Sequence, residues 1–338
     1  MNFVQGLDII INGNDLSRTQ AESFLGEILD NDAIVNEQVA DALIALTEKS
    51  VTTEEILGFL AAMRKRMINV DGVENAIDTC GTGGDKSNSF NISTASAIVL
   101  AAGGVKVAKH GNRSATSKCG SPDVLEALNI PVDFDPEEAK IRLAEDSFVF
   151  LFAQKYHPSL KKLAIVRKQL DFPTVFNILG PLLNPAKVKR QVIGTFNLEK
   201  AKTIAEVVSR LDYEHVVVLV SDDGLDEASL SAPTNIIDII GSEVTEYKIE
   251  PKDFDLKNAD RSELLGDDAI VNAAIVKSVM EPSDELSSQQ RVVVLNAGLG
   301  FYVAGVSDTV DNGVKLAIDT IKSSKAKNKL DSLSKTHV

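Results

Sequence analysis

Apolar positions in the first 70 or so residues repeat at helical spacing. Ala21, Phe24, Leu25, Ile28 and Leu29 fall at i, i+3, i+4, i+7 and i+8, which is one face of a helix. Ser17 with Gln20 three residues later has the form of a capping box, in which side chain and backbone satisfy each other at a helix start. Thr52 and Glu55 repeat that pattern, and Ile56, Phe59, Leu60, Met63 and Met67 supply the stripe behind it. Between the two, 39–46 reads as a third helix. No segment here alternates as a strand would. A small helical domain over 1–72 is the expectation.

From about Ala76 the pattern changes. Short β-branched runs at 76–79, 105–108, 148–152, 192–195, 216–220 and 292–295 read as strands. Helical patterns lie between or after them at 92–102, 122–128, 136–144, 160–170, 198–211 and 267–280. Ser121-Pro122 and Asp135-Pro136 read as N-cap and first-turn pairs. The tail, about 313–333, reads as one polar helix. Strand–helix alternation implies a mostly parallel sheet with helices on its faces. The expected fold class is therefore α/β: a small N-terminal helical domain plus a larger α/β domain over 73–338.

Composition narrows the function classes. With 44% hydrophobic and 25% charged residues, the chain can bury an ordinary core. A net charge of −14 repels a phosphate backbone, so no nucleic-acid partner is expected. Two cysteines cannot make a disulfide framework. The run from Met1 to Asp8 lacks a basic region followed by an apolar stretch, and no apolar run is long enough to span a bilayer. No membrane partner is expected, and a cytoplasmic enzyme is.

Chemistry concentrates in a few places. Asp78-Thr79-Cys80-Gly81-Thr82-Gly83-Gly84-Asp85 follows an expected strand, and its glycines let backbone N–H groups approach a ligand. Asn88 to Thr94 then enters a helix with hydroxyls at its start, which suits an anion. A tight turn with a capped helix explains the same residues. The spacing is neither the dinucleotide nor the ATP phosphate-loop fingerprint. Residues 86–122 contain no Asp or Glu, but hold Lys86, Lys106, Lys109, Arg113 and Lys118. At the chain's ratio of 49 acids in 338 residues, that window would carry about five acids. The island points to an anionic ligand, or to a basic surface face. Within it, Lys109-His110-Gly111-Asn112-Arg113-Ser114 follows a strand, where open α/β sheets bind ligands.

Ser221-Asp222-Asp223-Gly224-Leu225-Asp226-Glu227 also follows a strand. Four carboxylates in six residues repel unless solvated or bound to cations. Oxygen ligands without His or Cys favour Mg²⁺ shared with substrate phosphates. A solvated acidic turn is the alternative. Zinc spacing and a serine-hydrolase elbow are both missing from the sequence.

Taken together these residues resemble the anthranilate phosphoribosyltransferases. The run from Asp78 to Asp85 is similar to that family's D-x-x-G-T-G-G-D signature. Asn91 to Thr94, Lys109 to Ser114 and Gly224 to Glu227 match in the family's order. So do Phe150 to Ala153, Tyr156-His157-Pro158, Asn177 to Pro181 and Leu295 to Gly298. The resemblance spans essentially the whole chain. It implies a helical domain that also takes in an excursion at about 160–190, a homodimer, and transfer of phosphoribosyl from phosphoribosyl pyrophosphate to anthranilate with release of pyrophosphate.

Residue by residue, the resemblance implies phosphoribosyl pyrophosphate contacts from Gly81, Gly84, Asp85, Ser89, Asn91, Ile92, Ser93 and Thr94. It extends them through Lys109, His110, Gly111, Asn112, Arg113, Ser114, Ala115, Thr116, Ser117 and Ser121. Anthranilate would meet Gly81, Asn112 and Arg167. Ser93, Asp226 and Glu227 would hold Mg²⁺, two ions per subunit, and Lys109, Arg167, Asp226 and Glu227 would carry catalysis. Two departures stand out: Ser221-Asp222-Asp223 where many members have His-Gly, and Cys119 where Ser is usual. A pyrimidine-nucleoside phosphorylase would need one free phosphate and no magnesium clamp. A nucleic-acid-binding relative of this fold would be expected to be basic and to lack the Asp-Glu pair. A scaffold would leave the motifs unexplained.

Overall fold

The computed structural model describes residues 1–113, 118–170 and 172–335. It divides into two compact units. One comprises Met1–Asn69 with Ala153–Pro185, the other Val70–Phe152 with Ala186–Val338.

The first unit is helical. Helices Phe3–Ile11, Arg18–Asp30, Asn36–Lys49 and Thr53–Arg64 are joined by Lys161–Gln169 and Val175–Leu179 from the excursion. Phe24, Ile28, Leu43, Ile56, Phe59 and Leu60 are buried, and Phe3 stacks on Phe24 at 5.4 Å. Both expected capping boxes form. Gln20 accepts from the Ser17 N–H at 2.9 Å, and Glu55 accepts from the Thr52 N–H at 2.9 Å. Glu55 is fully buried, and its charge is met by the Leu16 N–H at 2.9 Å and by Lys49 at 2.7 Å. A buried carboxylate is tolerable only with such partners.

The second unit holds a seven-stranded sheet in the order β3-β2-β1-β4-β5-β6-β7. The strands are β1 (Ile77–Gly81), β2 (Val107–Gly111), β3 (Phe148–Phe152), β4 (Arg190–Gly194), β5 (His215–Ser221), β6 (Thr234–Ile240) and β7 (Glu243–Ile249). The first five run parallel, while β6 and β7 are antiparallel. Parallel pairing sends the carboxyl ends of β1, β2, β4 and β5 to one edge. The candidate motifs begin inside β1, β2 and β5 and continue past those three ends, β2 running to Gly111 where an end at 108 was expected.

Three local expectations are corrected. The run 292–295 is not a strand but lies inside helix Ser288–Val303. Val292, Val293, Val294 and Leu295 are all buried, and a helix buried on every face reads like a buried strand over four residues. The start is fixed by Ser287, whose Oγ accepts from the Gln290 N–H at 3.1 Å. The tail is two helices, Val310–Lys322 and Lys325–Lys335, interrupted where Ser324 takes φ 63°. Ser121 is the first residue of helix Ser121–Ala127, and Gly120 is its N-cap.

Candidate active site

β1 delivers the glycine segment. Gly83 and Gly84 have φ of 65° and 88°, and Lys86 and Asn88 also sit at positive φ. A run of such residues turns successive N–H groups to a common side, as anion-binding nests do. The Gly83 N–H bonds the Asp226 carboxylate. Gly81 leaves room for that carboxylate too, since a Cβ there would collide with Asp226 Oδ2.

β5 delivers the acidic segment, and its four carboxylates separate into two pairs. Asp222 accepts from Asn235 Nδ2 at 2.7 Å and Lys248 at 2.8 Å, and Lys248 holds its carboxyl below the usual range. Asp223 accepts from Ser229 Oγ at 2.8 Å and Ser231 Oγ at 2.7 Å. Asp222 thus braces the turn against β6 and β7, and Asp223 braces it against the loop that leads into β6. Asp226 and Glu227 instead face the end of β1, and both keep part of their surface open to solvent. Desolvation, then repulsion from Asp85, pushes the Asp226 pKa up to about 7. Desolvation and the Asp226 charge push Glu227 well up, against the pull of Lys109 and the Ser93 N–H.

Lys109 extends from β2 beneath this group. It is buried, and its Nζ donates to the Thr79 carbonyl and, at 3.2 Å, to Ser93 Oγ. Asp78, fully buried, accepts from the His110 N–H at 3.2 Å and from Gln191 Nε2 at 3.4 Å, which ties β1 to β2 and β4.

The residues present fit a magnesium ion. Asp85 Oδ2 is buried and meets no donor among the described residues, with the Asp226 carboxyl opposite it. A cation would offset the mutual repulsion of Asp85, Asp226 and Glu227. The donors are all oxygen, as Mg²⁺ requires. Among the described residues no group of three or more His, Cys, Asp or Glu side chains is placed to hold a metal ion, so at most two of these carboxylates would bind it directly. The remaining positions would go to water and substrate oxygens, the usual arrangement for this ion.

Other expected site residues take varied positions. Ser89 Oγ accepts from Ser87 Oγ at 3.0 Å. Thr94 Oγ1 donates to Ser121 Oγ at 3.1 Å, joining two candidate phosphate loops. Ile92 is buried and its N–H is taken by the Phe90 carbonyl at 2.7 Å. Gly111 ends β2 and Asn112 is exposed beyond it, its Oδ1 accepting from the Arg113 N–H at 2.8 Å. Arg113 is bonded to Asp123 and bidentately to Glu126 at 2.8 and 3.0 Å. Ser114, Ala115, Thr116 and Ser117 lie outside the described residues. The basic island is therefore not one face. Lys106 precedes the amino end of β2, and Lys118 pairs with Asp267 at 2.6 Å.

Arg167 lies in the helical unit. Leu163 and Val166 bury the apolar side of its helix. Arg167 itself is exposed, its guanidinium 5.4 Å above the Phe176 ring. In the same unit His157 is buried, its Nε2 3.0 Å from the Leu183 carbonyl. Burial pushes its pKa down to about 4, so it is neutral at pH 7 and serves as a structural donor.

Two residues went unnoticed in the sequence. Gly194 ends β4 where the Asp226 backbone passes, and Asn272 bonds Asn91 from 181 positions away. Neither belongs to a motif. A groove of about 680 Å³, lined by His215, Tyr302 and Ser307, lies at the amino end of β5, away from this site.

A helical bundle together with an α/β unit bearing these loops defines a class of glycosyl transferases. Residues 5–67 match the glycosyl transferase family's helical bundle domain, and residues 73–327 match its a/b domain. A relative from Bacillus pumilus named anthranilate phosphoribosyltransferase is 41% identical over 96% of this chain and 95% of its own. The crystal structure of anthranilate phosphoribosyltransferase from Thermus thermophilus is similar with a TM-score of 0.90 at 33% identity, covering 97% of this chain and 98% of that one. The Saccharomyces cerevisiae enzyme in complex with PRPP (phosphoribosyl pyrophosphate) and Mg is similar with a TM-score of 0.89 at 26% identity, covering 98% of both chains. The chain belongs to the anthranilate phosphoribosyltransferase family. Among the described residues no helix is long and apolar enough to cross a membrane.

Proposed function

We infer that this enzyme transfers the 5-phosphoribosyl group of phosphoribosyl pyrophosphate to the amine of anthranilate, releasing pyrophosphate, in tryptophan biosynthesis. The observation that carries the reading is the opposition of Asp226 and Glu227, after β5, to Gly83, Ser93 and Lys109. Acids and anion-binding groups set side by side suit a metal-bound diphosphate better than a single free phosphate. The glycine segment and the start of helix Ile92–Ala102 offer N–H groups to the donor. The bond from the ribosyl C1 to the pyrophosphate oxygen breaks, and the buried Lys109 ammonium offsets charge developing on the leaving group. Magnesium bound by Asp226, Glu227 and Ser93 would supply further positive charge to the diphosphate. The aromatic amine forms the new C–N bond and passes one proton to water, so no strong base is needed. Positioning and electrostatics supply most of the rate.

Arg167 is proposed to grip the anthranilate carboxylate, a bidentate task suited to guanidinium. Its loss removes a charge-assisted bond of about 1.5–3 kcal/mol. Arg167→Ala will accordingly raise the Michaelis constant for anthranilate about ten- to hundredfold. That for phosphoribosyl pyrophosphate will move far less. Initial rates across both substrates check this, and no change in either constant makes Arg167 a solvated surface residue.

Three finer statements rest on the family resemblance: two Mg²⁺ per subunit, a homodimer, and a cytoplasmic setting. Light scattering tests the dimer, and metal titration with substrate present tests the stoichiometry. The activity itself is tested by loss of anthranilate fluorescence on adding phosphoribosyl pyrophosphate and Mg²⁺. Steady fluorescence would overturn it.

A further inference from the structure

Asn91 occupies the N-cap position of helix Ile92–Ala102 without making the cap. An asparagine there ordinarily accepts from the second or third N–H of its own helix. Here its side chain is engaged elsewhere. Asn91 Oδ1 accepts from Asn272 Nδ2 at 2.9 Å, and Asn91 Nδ2 donates to the Cys119 carbonyl at 3.3 Å. Cys119 Sγ lies 3.5 Å from the same Oδ1.

Asn272 is built to hold that position. It is 2% exposed, in the first turn of helix Ala269–Met280, and its Oδ1 accepts from the Asp267 N–H at 2.8 Å. Both ends of its amide are therefore committed. The preceding segment runs along the Ser89 leg. The Phe90 N–H bonds the Leu264 carbonyl at 3.0 Å, the Gly266 N–H bonds the Asn88 carbonyl at 2.8 Å, and Ser89 bridges Leu265. Gly266 admits no larger residue, because a Cβ would stand 2.7 Å from Phe90 Cα and collide with Asn272 Oδ1.

We propose that Asn272 is a positioning residue for the phosphoribosyl pyrophosphate site, acting through Asn91. By drawing the Asn91 amide off its own helix, it leaves the Ser93 N–H to Glu227 and the Thr94 N–H to the donor's anionic oxygens, the Ile92 N–H being held by the Phe90 carbonyl. The same amide pins the Cys119–Ser121 leg to the Ser87–Asn91 leg, so two donor-binding segments far apart in sequence share one anchor. This rests on the reading that those segments bind the donor.

The test is Asn272→Leu, of similar volume and unable to donate. Asn91 then turns back to cap its helix. The Michaelis constant for phosphoribosyl pyrophosphate will rise about tenfold or more, while that for anthranilate stays within about twofold. Asn272→Gln, which keeps the donor, will recover part of the loss. In an Asn91→Ala background the Asn272→Leu change will add nothing further, because its path runs through Asn91. Additive effects, or equal changes in both constants, overturn the inference. If Asn272→Leu fails to fold, Asn272→Ser carries the same comparison, with the same two outcomes. Calorimetry of phosphoribosyl pyrophosphate with Mg²⁺ separates the layers. Wild-type protein that does not bind it removes the site reading beneath the inference. Equal binding by wild type and variant overturns the inference alone.

Discussion

Exchanging Asp226 and Glu227 together for Asn and Gln will cut turnover by about a thousandfold, and will make the metal-free protein more stable at neutral pH. The first effect follows from charge. A single well-placed electrostatic contact to a developing anion is worth about 10²–10³ in rate, and this change removes two carboxylates from the proposed ion clamp. The second follows from linkage. The folded state raises the Asp226 pKa from 3.8 to about 7, chiefly by desolvation and by the facing Asp85 charge. A group raised on folding adds stability below its unfolded pKa and loses it as pH climbs through the folded one. Wild-type protein without metal will therefore lose stability between about pH 4 and pH 7 at this group, and the neutral amides will not. Glu227 shifts in the same direction and adds to the fall. Thermal melts from pH 4.5 to 8, with a chelator and then with Mg²⁺ and phosphoribosyl pyrophosphate, check the sign. Added ligands should stabilise wild type and leave the double variant nearly unmoved. Undiminished activity at every Mg²⁺ concentration would remove the pair from the mechanism.

The opposing demands on those two carboxylates also explain which parts of the molecule were legible in its sequence. Chemistry that needs several groups at one spot leaves clustered residues, and a parallel sheet places clusters after strands. The glycine run after β1, the Lys109 segment on β2 and the acidic run after β5 were all readable for that reason. The acidic run did not reveal that Asp222 and Asp223 brace a turn while Asp226 and Glu227 face the site, because that division depends on Lys248 and Asn235 on later strands and on Ser229 further along the loop. The β6–β7 hairpin left little signal. β7 is an edge strand whose residues are mostly exposed, so burial imposes no alternation on Glu243–Ile249. The run 292–295 misled in the opposite way, since complete burial removes the polar positions that distinguish a helix from a strand. Asn272 stayed hidden because a lone asparagine acquires meaning only from a contact 181 residues distant.

Gly194→Ala will abolish most activity although it adds one methyl group to a residue outside every recognisable motif. Gly194 ends β4, pairing with Gly81 on β1 and Leu219 on β5. Its carbonyl accepts from the Thr82 N–H at 2.8 Å, so it already anchors the glycine segment. A Cβ on Gly194 would coincide with the Asp226 carbonyl oxygen and stand 2.8 Å from the carbonyl carbon. At Gly81 the obstacle is the tip of the Asp226 side chain, which can rotate. At Gly194 it is backbone against backbone, and relief requires the whole Asp226-Glu227 turn to move. A displacement of about 1 Å in a catalytic group costs about a hundredfold in rate. Overpacking of this kind lowers stability by about 1–3 kcal/mol, so the variant should still fold. Gly180→Ala provides the control, since among the described residues no atom outside its own stretch of chain lies within 4 Å of its Cβ position, and the change should be nearly silent. The discriminating measurement is the Mg²⁺ dependence of turnover in folded protein. Gly194→Ala should need far more metal for half-maximal rate, because the proposed ligands are shifted and not removed. Loss of activity only in step with loss of folded protein would mean that Gly194 serves the sheet alone, and that the end of β4 has no part in setting the carboxylates.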